Sequence, residues 1–372
     1  MFILSSLFYF VFVTMGECPY FCTKERKMIM SIMFLKEKLT NTQSFEKIVQ
    51  TAEEISSKRT DRLICDVPNS LEVLPTLELS MNVPTLEGVE NIVLPTTPWA
   101  LYQLTDTKLG VPSRYVQKCV SSGHSAELAE HLNMWISELT PGKRSKSVDY
   151  LVRQYDDRID AVFSKNYTAF DSPAILGTIQ DSLNLNDWNM VGSYISNERL
   201  HVRMIQDKML NVEGEDLFPG ICINSSDVGR ASFNVTFFIW KRVCTNGMCI
   251  SKVGGQLYHQ RHMGITAGEV RRELAANMKM IPTLIERSED IIKASRNKVV
   301  DLKDEHVFQK MVSDIRKKAQ VSEEEAKAVL KLAEEQYDLS LWGIGNAMTL
   351  KAQEYELDKR IVIETAAGSL IA

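Results

Sequence analysis

The segment 233–243 most constrains the fold, because its residues alternate with the period of two that is typical of a β-strand. One predicted face is apolar and consists of Phe233, Val235, Phe237 and Ile239. The opposite face is aromatic, polar and basic, and consists of Asn234, Thr236, Phe238, Trp240 and Arg242. Asn246-Gly247 follows, a dipeptide that tolerates positive φ, so the sequence predicts that the strand reverses there into a hairpin.

The composition is that of a globular protein, since the 372 residues are 44% hydrophobic and 24% charged. The net charge of -5 lacks the basic excess of a dedicated duplex-binding protein, so any nucleic-acid contact must use a local patch. The seven cysteines are spaced irregularly. That spacing argues against a disulfide framework and favours reduced thiols in a cytoplasm.

The N-terminal run from Phe2 to Val13 is almost entirely apolar, but it falls below the roughly 20 residues that span a bilayer. It also lacks the basic region that begins a signal peptide. A start codon placed too early is the simpler explanation, because Met28, Met30 and Met33 follow; an export or anchor signal is the alternative. We therefore expect residues 1–30 to form an extension outside the fold, and we expect no membrane association.

The rest of the chain divides into three predicted regions. Residues 31–142 combine helices with short strands that prolines interrupt. Residues 143–264 predict an antiparallel sheet core, with one helix starting at Asp171-Ser-Pro173. Residues 265–372 are helical, with capping boxes at Thr266/Glu269 and Ser322/Glu325 and a last helical stretch from Trp342 to about Ile363. The predicted fold class is α+β: an antiparallel sheet of β-hairpins with an inserted helix, flanked by N-terminal helices and a C-terminal helical region.

Two groups of residues have the chemistry of metal ligands. Cys244, Cys249, His259 and His262 supply the thiolates and imidazoles of a zinc site, although buried free cysteines and strand-end histidines are the commoner outcome. The acids Asp149, Asp156, Asp157, Asp160 and Asp171 suit Mg²⁺, but several of them suit turns or a helix N-cap equally well. No phosphate loop, dinucleotide fingerprint, nucleophile elbow or zinc-protease motif occurs. The sequence therefore favours a protein with no enzymatic activity and no cofactor.

A third set of residues suits single-stranded nucleic acid, because bases stack on aromatic faces while Lys and Arg contact phosphates. The predicted binding face consists of Arg158, Arg203, Phe238, Trp240, Lys241 and Arg242. The alternative is an ordinary sheet face whose aromatic residues pack beneath the C-terminal helices.

Several motifs together are similar to those of one known family. They include Trp99-Ala-Leu-Tyr-Gln-Leu104, Ala161-Val-Phe-Ser164, Ser226-Asp-Val-Gly229, Arg242-Val-Cys-Thr-Asn-Gly-Met248, Arg261-His-Met-Gly264 and Glu364-Thr-Ala-Ala-Gly368. On these motifs the chain resembles the domain of unknown function 932 family of phage, plasmid and prophage proteins. The resemblance marks Ser226, Asp227, Gly229, Cys244, Asn246, Gly247 and His262 as motif residues. The family commonly has Arg where this chain has Asp160, and Arg158 on the same strand face could substitute for it.

The resemblance implies a mobile-element protein that works in a bacterial cytoplasm. The order of hairpin, helix and sheet is similar to that of ring-forming single-strand annealing recombinases, a likeness at the level of fold alone. We therefore expect a homo-oligomer that binds or anneals single-stranded DNA in phage recombination or replication. The alternative is a non-enzymatic interaction or anti-defence protein that binds a host protein or a small molecule at the turn region from Ser226 to His262.

Overall fold

The computed structural model of the protein describes residues 43–142, 147–241, 246–249, 256–261 and 266–372. The strands of the first part are β1 (Arg59–Ile64), β2 (Leu71–Val73), β3 (Leu79–Thr85), β4 (Gly88–Leu94), β5 (Tyr150–Tyr155) and β6 (Arg158–Ser164). Its helices are α1 (Phe45–Ser57), α2 (Val67–Ser70), α3 (Pro98–Tyr102), α4 (Ser113–Ser121) and α5 (Ser125–Ser137). A π-helical segment, Gln103–Lys108, continues α3.

The second part begins with α6 (Ser172–Ser182). Its strands are β7 (Trp188–Ile195), β8 (Leu200–Gln206), β9 (Leu210–Val212), β10 (Glu215–Ser225), β11 (Phe233–Lys241), β12 (Asn246–Cys249) and β13 (Gln256–Gln260). The helices that follow are α7 (Ala267–Met278), α8 (Ile281–Arg296), α9 (Glu305–Ala319), α10 (Glu323–Gln336), α11 (Leu341–Ala352) and α12 (Leu357–Ile371).

The first part of the chain builds two small sheets around one core. β5 lies between β1 and β6 in one three-stranded sheet, and β3 lies between β2 and β4 in the other. Every pairing in the two sheets is antiparallel. Side chains from both sheets and from the helices meet in this core, among them Ile64, Met81, Leu104, Leu132 and Val152.

The large sheet is also antiparallel and has seven strands. Five of them follow the order β12-β11-β10-β8-β7, while β9 pairs with β10 and β13 pairs with β11. β11 pairs with β10 from Asn234 opposite Asn224 to Lys241 opposite Leu217. Its predicted apolar face, Phe233, Val235, Phe237 and Ile239, lies in the main core of the protein.

Helices that precede the large sheet in the chain and helices that follow it both contribute to the main core. α1 contributes Phe45, Ile48 and Ala52, and the Ser44 side chain caps its first turn. The capping boxes predicted at Thr266 and Ser322 are confirmed, because each begins a helix with both reciprocal hydrogen bonds. α11 is buried continuously over residues 342–349, as expected of a helix that is apolar on every side. The fold is α+β, as predicted.

The structure corrects three details of the sequence interpretation. β5 pairs with β1 and with β6 in a separate sheet, and β5 and β6 bury Tyr150, Val152 and Ile159 in the core of the first part, so residues 143–264 do not form one sheet. Asn246-Gly247 lies in β12, opposite Lys241 and Trp240, so this dipeptide is part of a strand and does not form the predicted reversal. A single helix from Trp342 to Ile363 is wrong as well, since α11 ends and α12 begins within that range.

The predicted N-terminal extension, 1–30, lies outside the described residues. Among the helices that are described, none has both the length and the apolar character that crossing a membrane requires.

Candidate functional site

The loop after β10, residues 226–230, is one place where the two parts of the protein meet. The Ser226 hydroxyl donates to the Glu198 carbonyl at 2.7 Å and accepts from the Arg230 backbone N–H at 2.9 Å. Gly229 has φ +77°, and a Cβ atom there would lie 3.0 Å from the Phe163 ring. The turn therefore requires glycine both for its backbone angle and for the close approach of that ring.

Asp227 is the buried centre of this loop. Arg59 Nη1 donates to Asp227 Oδ2 at 2.5 Å, and Ser172 donates its backbone N–H at 3.1 Å and its hydroxyl at 2.9 Å to Oδ1. Side-chain exposure is 5% for Arg59 and 3% for Asp227. Ser172 is the first residue of α6, so the carboxylate also lies at the positive end of that helix dipole.

Arg153, on β5, extends the same network and is buried. Its Nη1 donates to Asp171 Oδ1 at 2.7 Å and to the Asp227 carbonyl at 2.6 Å. Its Nε and Nη2 contact both oxygens of Asp61, at 2.8 and 2.7 Å. Burial lowers the pKa of Arg153, but the Asp61 hydrogen bonds and the Asp171 charge together raise it by more. The net shift is upward, so the guanidinium stays charged. Burial and the nearby Asp227 charge raise the pKa of Asp171.

We call this network the Asp227 hub, defined as Arg59, Asp61, Arg153, Asp171, Ser172 and Asp227. It joins two strands of the β1-β5-β6 sheet, β1 and β5, to α6 and to the loop after β10. No buried side-chain N or O atom of the Asp227 hub lacks a hydrogen-bond partner among the described residues. A buried ion cluster that is satisfied internally fixes structure and offers no reactive group. The motif residues Ser226, Asp227 and Gly229 therefore have structural roles.

A pair of aromatic rings, one partly buried and one exposed, lies directly against this loop. Trp99 donates its indole N–H to the Val228 carbonyl at 2.8 Å, and its ring stacks on Tyr102 with centroids 5.2 Å apart. The Arg230 guanidinium lies 4.9 Å from the Trp99 ring and contacts Glu198 at 2.9 Å. Tyr102 is 36% exposed.

A second aromatic ring with cations over it lies on the neighbouring hairpin β5–β6. Arg158 and Lys58 lie 5.5 and 6.0 Å from the Tyr155 ring, and Arg158 pairs with Asp160 at 3.0 Å. Thr97, which caps α3, hydrogen bonds to the Ile159 carbonyl at 2.9 Å, and this contact sets Trp99 beside the hairpin. We call Lys58, Trp99, Tyr102, Tyr155, Arg158 and Arg230 the aromatic strip.

Sequence reasoning placed only Arg158 of the aromatic strip on the predicted binding face. Trp99 and Tyr102 are three residues apart at the start of a helix, a spacing that puts two side chains on one face and could have revealed the pair. The sequence around Arg230 does not indicate that this residue lies over Trp99, because its position depends on the turn at Gly229.

Phe238, Trp240 and Arg203 of the predicted nucleic-acid face are buried, so that prediction is wrong for these three residues. Phe238 and Trp240 are 1% and 3% exposed and pack with Val191, Ile205, Phe218 and Cys222. Arg203 is buried and forms an ion pair with Glu364 of α12, and Lys241 contacts Glu215 at 2.7 Å. Arg242 lies outside the described residues. β10 and β11 are buried on both faces, and the alternation of the sequence alone cannot distinguish this from a strand with one open face.

The same buried face contains a polar group that sequence reasoning missed. His201 Nδ1 lies 2.6 Å from Asn224 Oδ1 and 3.9 Å from the Cys222 sulfur. Burial lowers the pKa of His201 to about 3 and raises the pKa of the Cys222 thiol. A neutral imidazole beside a protonated thiol with no access to solvent has no nucleophilic role. The pairing of β8 with β10, which the sequence does not reveal, creates this group.

The zinc interpretation of the hairpin region receives no support from the backbone register. Cys249 lies opposite Phe238 and His259 opposite Asn234, on segments that both pair with β11. Four residues along a strand correspond to roughly 13 Å, too far for two ligands of one zinc ion. Cys244 and His262 lie outside the described residues. Within the described ranges no cluster of three or more His, Cys, Asp or Glu residues could hold a metal ion.

Comparison with known proteins yields one family. No curated protein and no solved structure matches the chain. A family model described as Domain of unknown function (DUF932) matches residues 161–365, which begin in β6 and end in α12 and make up more than half of the chain. The match includes the motif Ser226 to Gly229 at the centre of the site. The protein therefore belongs to the DUF932 family.

Proposed function

We propose that the protein binds single-stranded DNA through the aromatic strip, in the cytoplasm of a bacterial host and in the recombination or replication of a mobile element. One observation supports this most: partly exposed cations lie over aromatic rings, with Arg230 over Trp99, and Arg158 and Lys58 over Tyr155. Surfaces that bind single strands combine the same two groups, because bases stack on the rings while cations follow the phosphates.

Arg230 and Lys58 of the aromatic strip can exchange their carboxylate partners for phosphates at low cost. Their side chains are 41% and 53% exposed, and their partners Glu198 and Asp156 are partly exposed as well. Ion pairs this exposed contribute about 0–1 kcal/mol, because water and salt screen them. The partner of Arg158, Asp160, is buried, so Arg158 should keep that ion pair. Arg158 contacts Asp160 through Nε, which leaves its terminal nitrogens for a phosphate.

The test is a fluorescence anisotropy titration of a labelled single-stranded oligonucleotide over a series of salt concentrations. Salt weakens contacts between cations and phosphates, so we expect binding through the aromatic strip to be strongest at low ionic strength. The logarithm of the affinity should fall by about 0.7 per phosphate contact for each tenfold rise in salt. Absence of binding at low ionic strength would contradict the proposal.

A double variant assigns the binding to the aromatic strip. Lys58→Ala with Arg230→Ala removes two phosphate contacts at residues whose carboxylate partners are partly exposed, so the salt slope should decrease by about 1.4. Arg316→Ala is the matched control, because Arg316 on α9 is 47% exposed and pairs with Glu323 at 3.4 Å in a similar surface ion pair. An equal effect of the double variant and of Arg316→Ala would place the binding surface elsewhere.

A further inference from the structure

An open groove lies next to the aromatic strip, between α3 and α4 on one side and the turn between β2 and β3 on the other. Its volume is about 490 Å³. Sites for small molecules typically have volumes of about 300–1,000 Å³, so the groove is large enough for a ligand. Its apolar walls include Leu77, Leu101, Val116 and Val120.

The position of the Leu77 wall is fixed by hydrogen bonds. Leu77 has φ +66°, an uncommon backbone angle for a bulky residue. Its backbone N–H donates to the Leu74 carbonyl at 2.8 Å, and its own carbonyl accepts from the Thr96 hydroxyl at 3.0 Å. Thr96 itself lines the groove. The groove is therefore preformed on this side.

Tyr102 belongs to both the groove and the aromatic strip. Its side chain lines the groove, and its ring stacks on Trp99, over which Arg230 lies. A chain of nucleotides that contacts the aromatic strip would therefore pass the mouth of the groove. An apolar wall next to an exposed ring is the surface on which a planar base stacks.

The α4 side of the groove provides polar groups that have no partner within the described part of the chain. Gln117 lines the groove, is exposed, and makes no side-chain hydrogen bond there. Arg114 and Lys118 come directly after the groove-lining residues Ser113 and Gln117 in the sequence, so they lie on the neighbouring face of α4. Both are exposed and form no ion pair within the described part of the chain. An amide beside an apolar cleft can hydrogen bond to a base edge, and two unpaired cations nearby match a phosphate.

We propose that this groove binds a nucleobase, with the phosphate of the same nucleotide held by Arg114 and Lys118. The nucleotide can belong to a DNA strand or be free. In the first case the inference rests on the proposed single-strand binding, and in the second it is independent of it. The shared chemistry is a planar heteroaromatic ring that carries an anionic group.

The test compares three ligands at low ionic strength: a single-stranded oligonucleotide, an abasic oligonucleotide of the same length, and free deoxynucleoside monophosphates. Anisotropy measures the two strands, and calorimetry measures the mononucleotides. Val120→Trp fills the groove without changing the aromatic strip, because Val120 lines the groove and is 44% exposed. Val93→Trp is the matched control, since Val93 lies on β4, away from the groove lining, and is 45% exposed.

If the groove takes a base from the strand, the preference of the protein for the intact over the abasic strand should fall about tenfold in Val120→Trp and stay unchanged in Val93→Trp. Bases that stack on the aromatic strip supply the part of the preference that both variants keep. If the groove takes a free nucleotide, a monophosphate should bind the unmodified protein and the Val93→Trp variant but not Val120→Trp, whatever the strands do. A preference that Val120→Trp leaves unchanged, with no monophosphate binding, overturns the groove proposal and leaves single-strand binding intact. Binding of none of the three ligands overturns both.

Discussion

The guanidinium of Arg59 and the carboxylate of Asp227 lie 2.5 Å apart, although 168 positions separate the two residues in the chain. Arg59 begins β1 of the β1-β5-β6 sheet, and Asp227 follows β10 of the large sheet. Arg59 Nη2 also donates to the Asn197 carbonyl at 2.7 Å, next to the Glu198 that pairs with Arg230. The ion pair therefore both joins the two sheets and positions one end of the aromatic strip.

Asp227→Asn should strongly destabilise the protein. The substitution leaves the buried guanidinium of Arg59 without its counter-charge, and loss of one partner of a buried ion pair costs about 3–5 kcal/mol. Urea unfolding followed by circular dichroism measures the change in the free energy of unfolding.

Asp156→Asn is the control for that substitution, because Asp156 pairs with Lys58 at 3.6 Å while both side chains are about half exposed. Its effect should be within about 1 kcal/mol. Equal losses for the two variants would contradict the central position of Asp227 in the hub.

Gly229→Ala should destabilise the protein more than Gly123→Ala. Both glycines have φ +77°, so both variants carry the cost of a left-handed angle, about 1–2 kcal/mol. Only at Gly229 does the added Cβ approach other groups, the Phe163 ring at 3.0 Å and the Gln103 side-chain amide at 3.3 Å, whereas nothing lies within 4 Å at Gly123. The difference in unfolding free energy between the two variants measures the cost of these contacts together, and a difference of zero would show that both side chains move aside freely.

His201 should make the stability of the protein depend on pH. Its pKa falls from 6.5 to about 3 on folding, chiefly because the imidazole is buried. Between these values the unfolded chain binds a proton that the folded protein does not bind. The stability from this group is therefore complete above pH 6.5 and is lost as the pH falls toward 3, by up to about 1.4 kcal/mol per pH unit.

The variant His201→Gln has no titrating group at that position and can still donate to Asn224. Its unfolding free energy should consequently fall less steeply than that of the unmodified protein below pH 6.5. Parallel pH profiles from urea unfolding would show that His201 does not contribute.

Local sequence signals predicted the elements of the fold well. The capping residues of α7 and α10 and the alternation of β11 are each contained in one short segment, and the structure confirms them. Local sequence could not predict whether the second face of β11 is buried or open, because Arg203 on that side of the sheet is paired with Glu364, 161 residues away.

The candidate site was less predictable for the same reason. The Asp227 hub takes Arg59, Arg153 and Asp171 from three separate segments, and no periodicity connects them. Asp171 was expected to cap its helix, yet its carboxylate contacts Arg153 and forms no capping hydrogen bond. These side chains are placed by ion pairs between residues that are far apart in the chain, and the pattern of one sequence does not show which charges pair.

Tryptophan fluorescence should report binding through one residue. The chain has five tryptophans, and Trp99 is the one in the aromatic strip. Single-stranded DNA should quench part of the emission, because a base that contacts the ring changes its environment. Trp99→Phe should remove this response, whereas Trp240→Phe should preserve it, since Trp240 is 3% exposed. Loss of the response in Trp240→Phe would return the binding face to β11.

The most direct test of the central claim is ultraviolet crosslinking of single-stranded DNA to the protein, with the crosslinked residues identified by mass spectrometry. Bases stacked on aromatic rings lie close enough to crosslink, so we predict adducts at Trp99, Tyr102 or Tyr155 that disappear at high salt. Adducts confined to residues outside the aromatic strip, or no adducts at low ionic strength, would contradict the account.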